Sequence, residues 1–318
     1  MSDLDRSITE RLQAARNILI VTHVRPDGDA IGSLLGLGLA LQATGKQVQM
    51  LLPEGLPRSF KHLPGSDQIK RSQKSTPDLS IVVDCSDLKR VGKALDKYGE
   101  PDIVVDHHVT NGAFGKLNLI ESDSPATASV LFAHMPAWGL TITPDVAANL
   151  LTGLITDTLG FRTLNTTARS LRQAADLVDL GANLSSLYNM GLVRRTLPAA
   201  RYWGVGLSNL QYGDGIVSTA LTLEDRSTSG YSGNDDADLI NVVSSIAEGL
   251  VSIIFVEQTN GTVKISWRTQ DPNLDVSQVA MMFNGGGHKA AAGADIPGEL
   301  DDVIKRVLAE TVKFLKKS

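Results

Sequence analysis

Four groups of acidic and histidine residues follow apolar runs in this chain. The first is His23-Val24-Arg25-Pro26-Asp27-Gly28-Asp29, directly after residues 17–21. The second is Asp84, after residues 79–83, and the third is Asp106-His107-His108, after residues 103–105. The fourth is Asp157, after residues 150–156. In an open parallel sheet, loops leaving the carboxyl ends of neighbouring strands converge on one crevice. Carboxylates gathered there repel one another unless cations lie between them. Two divalent metals would neutralise them, so the pattern reads as a two-metal hydrolase. Asp27 and Asp29, separated by Gly28, can point to different metals. Asp84 and Asp157 add carboxylates, and His107 adds a neutral nitrogen donor. This mixture suits Mn²⁺, with Mg²⁺, Fe²⁺ or Co²⁺ as alternatives. Two adjacent histidines at a strand end point to opposite sides. One can bind metal while the other faces substrate or supports a ligand, with Asp106 orienting a histidine. Any single aspartate at a strand end could equally be a helix cap. Their joint placement favours the metals.

The remaining candidates bind anions. Arg162, five residues after Asp157, is a phosphate-binding candidate. Near the C-terminus, Gly285-Gly286-Gly287-His288-Lys289-Ala290-Ala291-Ala292-Gly293 reads as a glycine-rich turn opening an alanine-rich helix. Its backbone N–H groups could approach an anion, and His288 and Lys289 add positive charge. Ser266-Trp267-Arg268, just upstream, offers a guanidinium suited to bidentate phosphate contact. Trp267 is either a stacking surface for a base or a core residue. His62 and His134 lie outside these groups and read as surface or core histidines.

The elements that must position these residues follow two patterns. Residues 1–185 alternate short apolar runs with helical segments, as in a doubly wound, mostly parallel α/β sheet. Strands are expected at 18–21, 48–52, 81–84 and 103–106. Helices are expected at 30–44, from Ser124-Pro125 through His134, and from Thr143-Pro144 through about Thr158, the last two with proline at the first helical position. Gly32, Gly36 and Gly38 would let the first of these helices pack closely on the sheet. A linker or hinge is expected at 186–200. Residues 201–318 read as a smaller α+β domain with a mostly antiparallel sheet. Its strands are expected at 216–223, 251–258 and 262–269, with an Asn260-Gly261 turn joining the last two. Its helices are expected at 235–248, 275–283 and 299–316.

Composition narrows the function classes. The chain has 318 residues, 42% hydrophobic, with a formal net charge of −5. Such a chain folds into sizeable cores and carries no overall basic field for a stable complex with long nucleic acid. The single cysteine, Cys85, excludes an intrachain disulfide and fits a reducing cytoplasm. No apolar stretch is long enough to span a bilayer, so no membrane association is expected.

In these residues the chain resembles the DHH phosphoesterase superfamily. The resemblance rests on Asp106-His107-His108, the His23-to-Asp29 group, Asp84 and Thr156-Asp157-Thr158, in order and spacing. The Gly285–Gly293 motif resembles the associated DHHA1 domain. Length and domain content are most similar to the nanoRNase/pAp phosphatase (NrnA-type) branch. The resemblance implies hydrolysis of short single-stranded oligoribonucleotides and dinucleotides to mononucleotides, and removal of the 3′-phosphate of adenosine 3′,5′-bisphosphate. It implies one metal held by His23, Asp27 and Asp84, and another held by Asp29, Asp84, His107 and Asp157, with Asp84 bridging. It gives His108 to the substrate phosphate, and Arg268, Gly286, Gly287 and His288 to the far end of the substrate. Separately, the second domain is expected to close over the substrate, with the connection at 185–198 as its hinge. A homodimer is a further implication. Asn284 and Leu159 stand where glycine is common, and Trp267 where a smaller residue is common. The alternatives are a cyclic or linear di-AMP phosphodiesterase, an inorganic pyrophosphatase and a non-catalytic nucleotide sensor. The last two are disfavoured by the C-terminal motif and by the complete ligand set.

Overall fold

The computed structural model describes residues 2–316; Lys317 and Ser318, at the end of the expected second domain, lie outside them. The chain divides into two compact units between Arg194 and Arg195. The first begins with α1 (Asp3–Ala14), capped by Ser2 and Asp5 in a reciprocal capping box. It continues through β1 (Asn17–Val21), α2 (Gly28–Gln42), β2 (Gln47–Leu51), β3 (Leu79–Val83), β4 (Ile103–Asp106) and β5 (Leu117–Ile120). It ends with α3 (Thr127–His134), α4 (Pro144–Asp157), α5 (Ala168–Asp179) and α6 (Leu184–Tyr188).

The five strands form one parallel sheet in the order β2-β1-β3-β4-β5. Both faces are covered, which is why the strands are nearly all apolar. Ile18, Ile20, Ile81, Val83, Ile103 and Val105 enter the core shared with α2, α3 and α4. The alternate residues Leu19, Val21, Val82 and Val104 pack on the other side against Val91, Ala94 and Leu95. The order reverses between β1 and β3, so the loops leaving these strands diverge around a crevice. Those loops carry His23–Asp29 and Asp84. The glycines of α2 serve mainly α4 rather than the sheet. A Cβ on Gly32 would lie 2.4 Å from Asn149 O, and one on Gly36 would lie 2.8 Å from Leu150 Cδ2. Only Gly38 faces a strand, against Met50. The helix expected from Pro125 starts instead at Thr127, because Asp29 accepts its first two N–H groups. Residues 189–193 continue α6 as a π-helical turn, so much of the expected linker is helical.

The second unit contains α7 (Leu197–Ser208), β6 (Gln211–Gly213), β7 (Ile216–Leu221), α8 (Leu223–Ser229), α9 (Ile240–Val243) and β8 (Val251–Glu257). It closes with β9 (Thr262–Thr269), α10 (Val276–Met281), β10 (Gly286–His288), β11 (Ala291–Pro297) and α11 (Leu300–Leu315). Its sheet runs β10-β11-β9-β8-β7-β6 and is antiparallel except for the parallel β7–β8 pair. One face buries Ile253, Phe255, Ile265, Trp267, Ala292 and Ala294 against α10 and α11. Trp267 is a core residue: it is fully buried and its indole N–H donates to Thr311 Oγ1 at 3.3 Å. The other face is covered by α7 and α9 over β7 and β8.

Two expectations fail in this unit. The helix expected at 235–248 is mostly loop, with only α9 regular. Its carboxylates bond the local backbone instead: Ala237 N donates to Asp235 Oδ1 at 3.0 Å and Ile240 N to Asp236 Oδ2 at 2.9 Å. Aspartates in that role favour turns over helix interiors. The Gly285–Gly293 segment does not open a helix. It is a hairpin of β10 and β11, with β11 paired along the length of β9 from Arg268 to Thr262. Sheet pairing overrides the helix propensity of its alanines.

Candidate active site

The first-unit residues singled out from the sequence converge at the ends of β1, β3, β4 and α4. They form three overlapping groups whose ligand atoms lie within 4.8 Å of one another: His23/Asp27/Asp84, Asp29/His107/Asp157 and Asp84/His107/His108. Asp84 belongs to two sides. Its Oδ2 is 3.6 Å from His23 Nε2, and its Oδ1 is 3.8 Å from His107 Nε2. His23 Nε2 is also 3.9 Å from Asp27 Oδ2, and His107 Nε2 is 4.0 Å from Asp29 Oδ2 and 3.5 Å from Asp157 Oδ2. These separations are too long for good hydrogen bonds. Ligand atoms about 2.0–2.2 Å from a shared ion lie roughly 3–4 Å apart, which matches them.

Local structure fixes each group. His23 Nδ1 donates to Val24 O at 2.9 Å, and His107 Nδ1 donates to Ser124 O at 3.2 Å. In both rings the Nε2 lone pair is thereby turned towards the carboxylates, the tautomer a metal needs. Asp27 does two jobs. Its Oδ1 caps α2 by accepting from Asp29 N and Ala30 N, both at 3.1 Å, while its Oδ2 faces His23. Asp29, 1% exposed, accepts from Thr127 N at 2.6 Å and Ala128 N at 3.0 Å, so the positive end of α3 holds its charge. This approach requires Gly153, where a Cβ would lie 2.6 Å from Asp29 Oδ1. Asp84 accepts from Thr127 Oγ1 at 3.0 Å and adopts φ 53, a left-handed conformation that is strained for aspartate.

The electrostatics follow from this crowding. Burial, then the charges of Asp84 and Asp157, push the Asp29 carboxyl well above the usual range. Burial, then Asp27 and Asp84, do the same to Asp157. Asp84 is held below that range despite its burial, by the nearby imidazoles of His23 and His107. Burial opposes charge on both histidines, but Asp84 with Asp27 raises His23, and Asp84 with Asp29 raises His107. The crowding of negative charge, and a donor set of carboxylates and oriented imidazoles, fit divalent ions.

His108 is oriented differently from His107. Its Nδ1 lies 2.7 Å from Asp106 Oδ1, which leaves Nε2 to face away from that carboxylate. Asp106, fully buried, also accepts from His107 N at 2.8 Å and Asn111 Nδ2 at 2.6 Å. It therefore organises the histidine pair from behind and is not a member of the metal-facing groups. Arg162 is not in the cluster: it is exposed, in the turn after α4, with Nε donating to Leu159 O at 3.2 Å. Reading by residue type missed Thr127, Ser124 and Asn111. Asn111 lies only three residues past His108, and that proximity was the available signal.

In the second unit, Ser266, Gly293 and Gly286 lie opposite one another across β9, β11 and β10, as do Arg268, Ala291 and His288 in the next row. Opposed residues share a face, and this face is turned away from the Trp267 core. Gly286, Gly287, His288 and Lys289 are exposed. A Cβ on Gly287, at φ +147, would lie 2.4 Å from Ala291 O, so the hairpin requires glycine there. Arg268 is half-buried, its Nη1 donates to Trp267 O at 2.9 Å, and burial lowers its pKa against the charges of Asp236 and Asp238.

Comparison with known proteins agrees with this architecture. The family model described as DHH family, N-terminal domain matches residues 17–154, and the DHHA1 domain matches residues 219–317. The chain is 34% identical to a bifunctional oligoribonuclease and PAP phosphatase from Thermus thermophilus, over 95% of this chain and 92% of that protein. It is 24% identical to the protein of the same name from Bacillus subtilis, over 94% of this chain and 95% of that one. The crystal structure of an exopolyphosphatase-related protein from Bacteroides fragilis superposes with a TM-score of 0.89 at 27% identity, covering 98% of this chain and 95% of that one. The chain belongs to the DHH family, with a DHHA1 domain as its second part.

Proposed function

We propose that this protein is a two-metal phosphoesterase that hydrolyses short oligoribonucleotides and dinucleotides to mononucleotides and removes the 3′-phosphate of adenosine 3′,5′-bisphosphate. The single observation that carries the chemistry is the divided carboxylate of Asp84, one oxygen facing His23 and the other facing His107. His23, Asp27 and Asp84 would hold one divalent ion; Asp29, Asp84, His107 and Asp157 would hold the other. Mn²⁺ suits this mixture of oxygen and imidazole donors, with Mg²⁺ or Co²⁺ as substitutes. When bound, such a pair activates water for in-line attack on phosphorus and neutralises the phosphoryl oxygens. The residues prepare that step. Asp106 fixes the His108 ring, whose Nε2 is presented to a phosphoryl oxygen of the substrate. Arg162 is a weaker candidate for the same phosphate. Ser266, Arg268, Gly286, Gly287, His288 and Lys289 form an anion-binding face for the nucleotide. The substrate class is supported by the activities that the relatives' names state.

The test is Mn²⁺-dependent hydrolysis, with product identification, across a panel. The panel holds adenosine 3′,5′-bisphosphate, pApA, RNAs of two to five and of twenty-four nucleotides, cyclic di-AMP and pyrophosphate. Turnover of the bisphosphate and the shortest RNAs, with little on the long RNA, supports the reading. Turnover of pyrophosphate alone overturns the substrate assignment while leaving the metal site in place.

A further inference from the structure

A second charged cluster lies in the first unit, outside the metal-facing groups. His134, the last residue of α3, stands between two carboxylates. Its Nδ1 is 2.7 Å from Asp5 Oδ1, and its Nε2 is 2.7 Å from Glu121 Oε1. Only a ring protonated on both nitrogens can donate to both. Burial opposes that charge, but Glu121 and Asp5 raise the pKa of the ring. Asp5 also accepts from Trp138 Nε1 at 3.1 Å and caps α1 through Ser2. Glu121 Oε2 accepts from Ser124 Oγ at 3.0 Å and lies 3.7 Å from Arg169 Nη2. The carbonyl of the same Ser124 accepts the Nδ1–H of His107. An unbroken hydrogen-bonded series therefore runs from α1 through His134, Glu121 and Ser124 to a ring that faces Asp29, Asp84 and Asp157.

Residues 121–126 carry no regular structure. The turn is closed by Ser124 N donating to Glu121 O at 2.9 Å, and Glu121 N donates to Asp106 O at 3.0 Å. These bonds place the backbone, and the side-chain links to Glu121 add the restraint that bears on the Ser124 carbonyl. We propose that His134 is a positioning residue for His107. By clamping Glu121, it holds the Ser124 turn in the one arrangement that aims His107 Nε2 into the cluster. This inference rests on the reading of His107 as a metal ligand. An outer partner that fixes a ligand's orientation changes metal affinity as well as stability, and this separates positioning from a mere staple between α1 and α3.

The test uses the full chain and Mn²⁺ itself, with free Mn²⁺ read by electron paramagnetic resonance and stability by urea unfolding. Ser124→Ala removes only the hydroxyl link to Glu121 and keeps the carbonyl. His134→Gln removes the charge at the centre. Each is expected to weaken Mn²⁺ binding about fivefold, less than for a partner bonded directly to a ligand. The double variant is expected to be little worse than either, because both break one series. Unchanged Mn²⁺ affinity in Ser124→Ala, beside tight wild-type binding, overturns this inference alone. Wild-type protein that binds no Mn²⁺ overturns it together with the reading of the site.

Discussion

The two units present their functional groups by opposite means. The first gathers buried, ionisable side chains and spends its hydrogen bonds on aiming them. His23, Asp29, Asp84 and His107 are nearly inaccessible, and each is tied to a backbone group or hydroxyl. The second shapes a face by leaving side chains out. Gly286, Gly287 and Gly293 expose β10 and β11, and the charged groups Arg268 and His288 stand among them. A site of crowded charge is unstable until ions enter it. A backbone-shaped face needs nothing but its hairpin. The first should therefore answer to metal and charge, and the second to sterics.

The largest effect expected is at Asp84. Asp84→Asn keeps the shape and tolerates φ 53, since asparagine visits the left-handed region readily. It should lower kcat/KM by about 10³-fold or more, because metal assistance supplies several kcal/mol. Folding should survive, as judged by circular dichroism; activity retained in the Mn²⁺-loaded variant would falsify the bridging role. Next in size is the response to metal itself. Mn²⁺ at a hundredfold excess over its Kd should stabilise by about 2.7 kcal/mol. Hydrogen exchange should show that protection concentrated in residues 17–157, and chelation should remove it. Equal protection of residues 211–297 would erase the contrast between the units.

How much of this could be read from residues alone divides along the same line. The acidic and histidine side chains that converge declare themselves by type, each at or just past the end of an apolar run. The sheet that carries them was equally legible at β1 to β4, where apolar runs are short and bounded by turns. Only β5, with the brief Leu117–Ile120, escaped notice. What the sequence hides is the backbone's part. Asp29 shifts the start of α3 to Thr127, and Ser124 O aims His107; neither contact has a signature in spacing. The hairpin was misread for the same reason. Gly-Gly-Gly-His-Lys-Ala-Ala-Ala-Gly fits a turn and helix by propensity, and only the open edge of β9 decides for a strand. Asn284 and Leu159, standing where glycine is common, both take positive φ, so the conformation persists without the residue that adopts it most readily.

The sterics of the second unit can be probed by two neighbouring alanines. Gly287→Ala forces a Cβ to within 2.4 Å of Ala291 O at φ +147. It should cost about 2 kcal/mol in urea unfolding. Gly286→Ala meets nothing within 4 Å and should alter stability by less than about 0.5 kcal/mol. It should still raise KM for the nucleotide, because the new methyl stands on the binding face. Equal stability losses in the two variants would show that the hairpin is not shaped in this way.

The smallest effect expected separates charge from shape through pH. His134 is charged between Asp5 and Glu121, so its folded pKa lies above the unfolded value. Its contribution to stability is therefore fully present below about pH 6.5 and is lost as pH rises through the raised folded value. If His23 and His107 hold Mn²⁺ as proposed, loading the protein withdraws them from titration and leaves His134 as the charged, part-buried ring of this unit. The stability gap between wild type and His134→Gln should be about 1–2 kcal/mol at pH 6, the scale of a hydrogen bond to a charged group discounted for partial exposure. It should narrow by pH 9. A gap at His134 that is constant from pH 6 to 9 would mean that the ring acts by shape there too, and the charge-based account of the first unit would have to exclude it.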